Sequence, residues 1–491
     1  MKRVYLSFFL LFFLNCFSQQ TVNSFPLVLK NNRDYFQIVN DSTQEITLFI
    51  SDKKRVKAIL LNKNMQIIDS ISTTRPEKKY VDIVGYNKKG SNYRLYWATK
   101  NNKELYTELY DFSKKKVTYN TTNLVFKNES IFQKISVNGN FYVITSLENS
   151  NILKLYKYGK TGVVEEKSID VTGTKFYNSS NKLVSLYEFL AENTYEDYDR
   201  QLQAITEQSV SSLVTNSKKR KLYVYHDSFV ISIDNNPSFT QNLTVNLSDL
   251  SFKNLLIPQP YIDTPVDEIP NSNSYIFDSK IIQIKINSME FAVSIKKLDD
   301  GTEINTFSGK KDIEIAFKNS EIIQENGMYD SYRILEKSNQ FIRKVNNSTP
   351  SITCDLMDNS YYVTLGGISD IVRSSGMGFG MNTGSMGTGL FVTYGPNYAF
   401  QNLVTYKEKK VIYVNCLFDL NFNHIQGEPK KLAFEKVRKF VDESPDIIDK
   451  PIFSNSEKLY KDVTLFKFGN GLYVGSYNSP NNEYKIFSFT D

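Results

Sequence analysis

Histidine, tryptophan, cysteine and long apolar runs are all scarce in this chain, and each scarcity removes a class of function. Two histidines, His226 and His424, and three cysteines, Cys16, Cys354 and Cys416, stand among 491 residues. A zinc centre with its usual His and Cys ligands would need nearly all of them. No metal or cofactor is therefore expected. His226 lies beside Asp227 and Ser228 in the strand-like YVYHDSF, where adjacent side chains point to opposite faces and cannot assemble a triad. Asp419-Leu420-Asn421-Phe422-Asn423 begins like a calcium loop, but His424 replaces the required glycine and Lys430 stands at the twelfth position.

Charge of one sign is lacking too. The formal charge of +6 falls to +4 once Lys2 and Arg3 are removed, well short of the clustered basic surface that nucleic acid demands. The single basic run, Lys218-Lys219-Arg220-Lys221, reads as a solvated turn before a strand. The only apolar run is N-terminal: MKRVYLSFFLLFFLNCFS has a basic start and a Phe/Leu core too short to span a bilayer, which needs about 20 apolar residues. It reads as a signal peptide over residues 1–18, with small residues at Cys16 and Ser18 and cleavage before Gln19. Acylation at Cys16 is disfavoured by the preceding Phe13-Leu14-Asn15. The expected location is secreted, periplasmic or cell-surface, with no membrane span. Only Cys354 and Cys416 then remain, so the chain is no disulfide scaffold, and their pairing is left open.

What the chain does have is period-two alternation rich in Tyr, Phe, Ile, Val and Thr, which suits a pleated surface. Phe229, Ile231 and Ile233 share one face of FVISID, and Ile282, Ile284 and Ile286 one face of IIQIKIN. Tyr93, Leu95 and Trp97 alternate with Tyr96 and Ala98, apolar on both sides, which predicts a strand covered on both faces. A weak repeat underlies these strands. Similar strings begin at Glu45, Asn92 and Asn140, spaced by 47 and 48 residues, with less regular copies from Ser228, Lys280 and Lys410. Each carries a strand, a polar turn, then two strands about a hairpin, whose tips are Asn62-Lys63-Asn64, Ser113-Lys114-Lys115 and Gly159-Lys160-Thr161-Gly162.

A unit of about four strands every 40 to 50 residues resembles a β-propeller blade, and the chain resembles secreted bacterial β-propeller-like proteins of unknown function rather than any characterised family. The resemblance implies an all-β fold, one propeller-like domain over 19–491 of about seven four-stranded blades. Tandem β-sandwiches are the alternative, although they would need a longer period. The first strand, near Phe25 to Leu29, is expected to complete a sheet with residues 463–491. Sialidase-like and quinoprotein propellers rely on recurrent tryptophan, and Trp97 stands alone.

Three stretches interrupt the pattern. Leu183, Leu186, Leu190, Tyr195, Tyr198, Leu202 and Ile205 are spaced as on one helix face, predicting a helical insertion over about 183–208. PQPYIDTPVDEIP, residues 258–270, predicts an extended connection between blades. SSGMGFGMNTGSMGTG, residues 374–389, lacks the Gly-Lys-Ser/Thr ending of a phosphate loop and reads as a surface loop. Its Met377, Phe379, Met381 and Met386 are the candidate binding residues, because methionine offers adaptable apolar surface. No catalytic residue is assigned: Asp300 with Glu303 reads first as a hairpin turn around Gly301. The expected function is a non-enzymatic binding or scaffolding module for a glycan or protein partner, the alternative being a polysaccharide hydrolase or lyase working through dispersed carboxylates.

Overall fold

The computed structural model describes residues 20–30, 34–124, 126–159, 162–192, 201–327, 331–371, 397–444 and 462–491. Strand dominates them: seven sheets of four or five strands and one two-stranded sheet, with a few short helices. The chain divides into two compact units, one drawn from Met1–Arg75 with Lys430–Asp491 and the other from Pro76–Pro429.

In the first unit the two ends of the chain share a sheet. Strand β1 (Gln20–Pro26) pairs antiparallel with β32 (Glu483–Thr490), from Gln20 opposite Ser488 to Pro26 opposite Glu483. Beyond β32 follow β31 (Gly471–Asn478) and β30 (Val463–Phe468), so an N-terminal strand does complete the C-terminal sheet as expected, although it runs Gln20–Pro26 rather than from Phe25 to Leu29. Tyr484 anchors it. Its ring lies 5.4 Å from Phe25 and 6.2 Å from Tyr35, and its hydroxyl meets Thr464 Oγ1 at 2.8 Å. The second sheet is a meander of β2 (Asp34–Asn40), β3 (Glu45–Ser51), β4 (Arg55–Leu61) and β5 (Ile67–Thr74). Ile46, Leu48 and Ile50 from it pack with Phe25, Phe466 and Ile486 in one apolar core. Buried Asp52 holds the β3–β4 turn: its carboxylate accepts from the N–H groups of Lys30, Lys54 and Arg55 at 3.0, 2.7 and 2.9 Å. Burial opposes its charge, but those three bonds prevail and hold the carboxyl below the ordinary range.

The second unit is a stack of sheets in chain order. The first contains β6 (Tyr80–Lys89), β7 (Asn92–Thr99), β8 (Glu104–Asp111) and β9 (Lys116–Asn123); the next contains β10 (Glu129–Val137), β11 (Asn140–Leu147), β12 (Ile152–Tyr158) and β13 (Val164–Asp170). After the small pair β14 (Phe176–Tyr177) and β15 (Leu183–Val184) comes β16 (Gln203–Ile205), β17 (Arg220–Val224), β18 (Ser228–Ile233), β19 (Phe239–Asn246) and β20 (Phe252–Pro258). Then come β21 (Asn271–Phe277), β22 (Lys280–Ile286), β23 (Glu290–Lys297) and β24 (Glu303–Lys310). The last sheet contains β25 (Ile322–Glu325), β26 (Tyr332–Leu335), β27 (Thr349–Met357), β28 (Ser360–Asp370) and β29 (Lys409–Phe418), ordered β26-β25-β29-β28-β27.

Successive apolar cores bind these sheets face to face. Tyr96 and Ala98 pack on Phe141 and Val143; Ile144 and Leu155 on Leu222 and Ile231; Tyr223 and Ile257 on Tyr275 and Ile284, and these on Ile352 and Val363. Strand β7 buries Tyr93, Leu95 and Trp97 as well as Tyr96 and Ala98, so it is covered on both faces. The repeats seen at Glu45, Asn92 and Asn140 are the starts of β3, β7 and β11, the second strand of three successive sheets. At the hairpin tips the left-handed residues are Met65, Lys115 and Gly162, with φ of 61°, 53° and 85°.

Two expectations change. Among the described residues of the predicted 183–208 insertion, only Leu186–Ala191 forms a helix, started by a capping box between Ser185 and Glu188. Residues 193–200, including Tyr195 and Tyr198, lie outside the described residues. Ile205 belongs instead to β16, which runs parallel to β17 and satisfies the backbone groups of an otherwise open edge. Cys354 and Cys416 are buried free thiols on β27 and β29, both opposite Val363 of the intervening β28. Two strand spacings, about 9–10 Å, exceed the reach of a disulfide, and burial pushes both thiols upward.

The basic run also changes character. Arg220 and Lys221 are fully buried rather than solvated, while Lys218 and Lys219 are half-buried. Lys221 Nζ meets Asp234 Oδ2 at 2.7 Å with both side chains 0% exposed, and donates to Asn273 Oδ1. Asp234 accepts further from Thr240 Oγ1 at 2.6 Å and from Ser274 N and Oγ at 3.1 and 2.8 Å. Asn273 Nδ2 donates to Pro350 O at 2.9 Å, and Asn216 Nδ2 to Ile352 O at 2.7 Å, so the network reaches from β17 through β21 to β27. Removing one partner of such a pair strands the other charge without water. Lys221→Met should therefore cost about 3–5 kcal/mol of stability, read by urea unfolding; a loss below about 1 kcal/mol would show that the pair is not desolvated.

Candidate functional site

The residues singled out for binding, Met377, Phe379, Met381 and Met386, lie with the whole 374–389 segment outside the described residues. Other chemistry-bearing residues are placed, and most prove architectural. Asp300 caps its own hairpin, accepting from Thr302 N at 2.8 Å beside Gly301 at φ 74°. Glu303 starts the following strand. Asp419 Oδ1 accepts from Asn421 N and Asn423 N at 2.9 and 2.8 Å, which closes a turn around Phe422 at φ 59°. His424 Nε2 faces Asn319 Oδ1 at 3.0 Å, and burial lowers its proton affinity. His226 and Asp227 do meet, Nδ1 to Oδ1 at 2.8 Å, because both sit in the turn between β17 and β18 where strand alternation no longer applies; the pair is open to solvent. Among the described residues no cluster of three or more His, Cys, Asp or Glu is arranged to hold a metal.

The proline-rich connection is different. Residues 259–270 form no regular element and strap across from β20 to β21, the extended connection that the four prolines of 258–270 predict. The strap is pinned along its length. Gln259 N donates to Ser238 O at 2.9 Å, Ile262 is buried, and Asn287 Nδ2 donates to Asp263 O at 2.7 Å. Glu290 Oε1 accepts from Asp263 N at 2.6 Å. Near its end, Glu268 accepts from Ser288 N, Ser288 Oγ and Asn346 Nδ2 at 2.8, 2.6 and 2.9 Å. Burial opposes the Glu268 charge, but the Ser288 and Asn346 bonds outweigh it and lower its pKa.

A chain held this firmly nevertheless turns apolar side chains outward. Tyr261, Val266 and Ile269 are 84%, 100% and 84% exposed. Between the strap, the β22–β23 turn and the end of β24 lies a pocket of about 480 Å³, lined by Asp263, Thr264, Pro265, Met289, Glu290, Lys310, Lys311, Asp312 and Ile313. Met289 and Ile313 are also exposed apolar residues. Tyr261 Oη donates to Asp263 Oδ1 at 2.8 Å, which ties the ring to a lining residue and raises the phenol pKa. Lys310 pairs loosely with Glu290 at 3.7 Å. The side chains of Lys311 and Asp312 have no hydrogen-bond or ion-pair partner among the described residues. Sequence reading found the strap but not the site, since proline content shows where the chain is stiff and says nothing about which side chains it leaves uncovered.

Fold and site thus define an all-β protein of stacked antiparallel sheets with a rigid, partly apolar strap and an adjoining pocket. No protein-family model and no curated protein matches the chain. Among solved structures it is similar to a member of the DUF4221 family from Bacteroides vulgatus, at 10% identity over 84% of this chain and 94% of that one, with a TM-score of 0.30. It is also similar to an uncharacterised protein from Listeria monocytogenes, at 9% identity over 69% and 81% of the two chains and a TM-score of 0.25. A third is AofleA from Arthrobotrys oligospora, at 8% identity over 72% and 87% and a TM-score of 0.24. Likeness of this degree leaves the architecture to rest on the chain's own sheets.

Glu268 gives the strap a pH dependence. A carboxyl whose folded pKa lies below its ordinary 4.5 contributes stability above that value and loses it as pH falls through the folded value. Limited proteolysis within 260–270 should be slow near neutral pH and accelerate below about pH 4, whereas Glu268→Gln should be cut faster at neutral pH and lose most of that acid sensitivity. Identical cleavage of both forms at every pH would remove Glu268 as an anchor.

Proposed function

We propose that the protein is an exported, non-enzymatic binding module, a propeller of about seven blades that meets a glycan or protein partner at the strap. The propeller reading is supported by the face-to-face order of successive sheets and by the way their edge strands adjoin, β6 against β10 and β21 against β27. One observation carries the functional reading: a segment pinned by hydrogen bonds and stiffened by proline keeps Tyr261, Val266 and Ile269 in solvent beside a pocket. Exposed apolar residues gathered on one rigid feature mark an interaction surface, and rigidity lowers the ordering cost of binding.

Catalysis is the weaker reading. A polysaccharide hydrolase needs a carboxyl that keeps its proton near neutral pH, which a dry apolar environment supplies. The carboxyls with displaced pKa values in the second unit, among them Glu104, Asp170, Glu268, Asp278 and Asp300, all move downward. Asp263 and Asp312 at the pocket lie open to water.

Export is tested by mass spectrometry of the mature N-terminus, expected at Gln19; a retained Met1 or a lipid on Cys16 would defeat it. For binding, Val266→Asp with Ile269→Asp should leave melting unchanged, because both side chains already face water, and abolish retention of the native partner from an extracellular or cell-envelope extract. Undiminished retention would move the binding surface elsewhere. Turnover of a polysaccharide, lost in Glu290→Gln with the fold intact, would replace this reading with the enzymatic one.

A further inference from the structure

The pocket beside the strap has a composition more specific than a general contact surface. Three carboxylates, Asp263, Glu290 and Asp312, stand with two ammonium groups, Lys310 and Lys311, in its lining, so acceptors and donors are both present and their charges nearly cancel. With three negative and two positive side chains the rim carries a net charge of about −1, which gives a small anion no net attraction and a small cation only a weak one. Its remaining lining is apolar, from Pro265, Met289 and Ile313. Two residues before the lining begins, Tyr261 is 84% exposed and tied by its hydroxyl to Asp263, which belongs to that lining.

A peptide strand is poorly served here. Pro260, Pro265 and Pro270 have no N–H to offer an added strand, Asp263 N is already given to Glu290, and Asp263 O already accepts from Asn287. A pyranose ring fits the inventory better. It is neutral, its C–H faces match an immobilised aromatic ring and apolar lining, and its hydroxyls both donate to carboxylates and accept from ammonium groups. The volume of about 480 Å³ lies within the range of small-ligand sites and suits one or two sugar units.

Resting on the binding-module reading above, we propose that this pocket binds a pyranose unit of a neutral glycan, stacked on Tyr261 and hydrogen-bonded by Asp263, Asp312 and Lys311. Tyr261 is the platform. Asp312 and Lys311, whose side chains have no hydrogen-bond or ion-pair partner among the described residues, are the groups open to sugar hydroxyls, while Glu290 positions the strap through Asp263 N.

Affinity electrophoresis of the intact mature protein tests this, with galactomannan, xyloglucan and dextran as neutral probes, polygalacturonate as an anionic one and chitosan as a cationic one. Retardation by at least one neutral probe is expected. Tyr261→Ala should weaken it at least tenfold with melting unchanged, and Asp312→Asn should weaken it by a smaller factor. Retardation by charged probes alone, by none, or equally in wild type and Tyr261→Ala would overturn the inference. The Val266→Asp/Ile269→Asp variant separates the two readings: if it loses a protein partner while no neutral glycan binds the wild type, the glycan inference fails and the strap remains a binding surface. If the variant loses nothing and no glycan binds, both fail.

Discussion

The Lys221–Asp234 pair is the interaction on which the second unit turns. Two opposite charges sit where no water reaches them, and neither is tolerable without the other and its supporting hydrogen bonds. Asp234 is filled by Lys221, Thr240 and Ser274, and Lys221 also reaches Asn273. These groups come from β17, β19 and β21 and the turn after β18, so the pair can be satisfied only when two neighbouring sheets are already in register. Asn216 and Asn273 extend the requirement to the backbone of β27. Apolar contacts hold the sheets together with little regard for small sliding, whereas this network accepts one alignment.

That alignment also positions the strap. With β20 and β21 placed in adjacent sheets, the twelve residues 259–270 must bridge them, and proline confines the routes available. Beyond Ser238 at its start, the anchors come from the sheet being entered and the helix beyond it: Asn287, Ser288 and Glu290 lie at the β22–β23 turn and the start of β23, and Asn346 ends the helix Ser338–Asn346. Backbone groups at Gln259, Asp263 and Glu268 are thus bonded while Tyr261, Val266 and Ile269 stay outside. A flexible linker would collapse those side chains onto the nearest apolar surface; a pinned one holds them ready for a ligand.

Much of the sheet architecture was legible. The strings beginning at Glu45, Asn92 and Asn140 coincide with the starts of β3, β7 and β11, because strand alternation and hairpin tips are local properties. The doubly apolar string at Tyr93–Ala98 correctly foretold a strand covered on both faces. Errors arose where a partner distant in sequence decides the outcome. The Lys218–Lys221 run looked solvated because charge favours water unless a counter-charge is buried with it, and Asp234 gives no local sign of being that counter-charge. Ile205 looked helical by spacing, yet the open edge of β17 drew it into a strand. His226, Asp227 and Ser228 were read as strand neighbours unable to form a triad; the turn after β17 removed the strand premise and lets His226 and Asp227 pair.

By itself the sequence determined the all-β class, the spacing of the sheets, the hairpins within them and the stiffness of residues 258–270, because each follows from periodicity and backbone preference over a few neighbouring residues. Tertiary structure alone decided which charges are buried, that Cys354 and Cys416 stand two strands apart, that the first strand completes the last sheet in the register found, and which of the strap's apolar side chains remain uncovered. The physical reason is common to all four. Burial, pairing and exposure depend on what a residue meets across space, and that is set only when segments far apart in the chain are brought together.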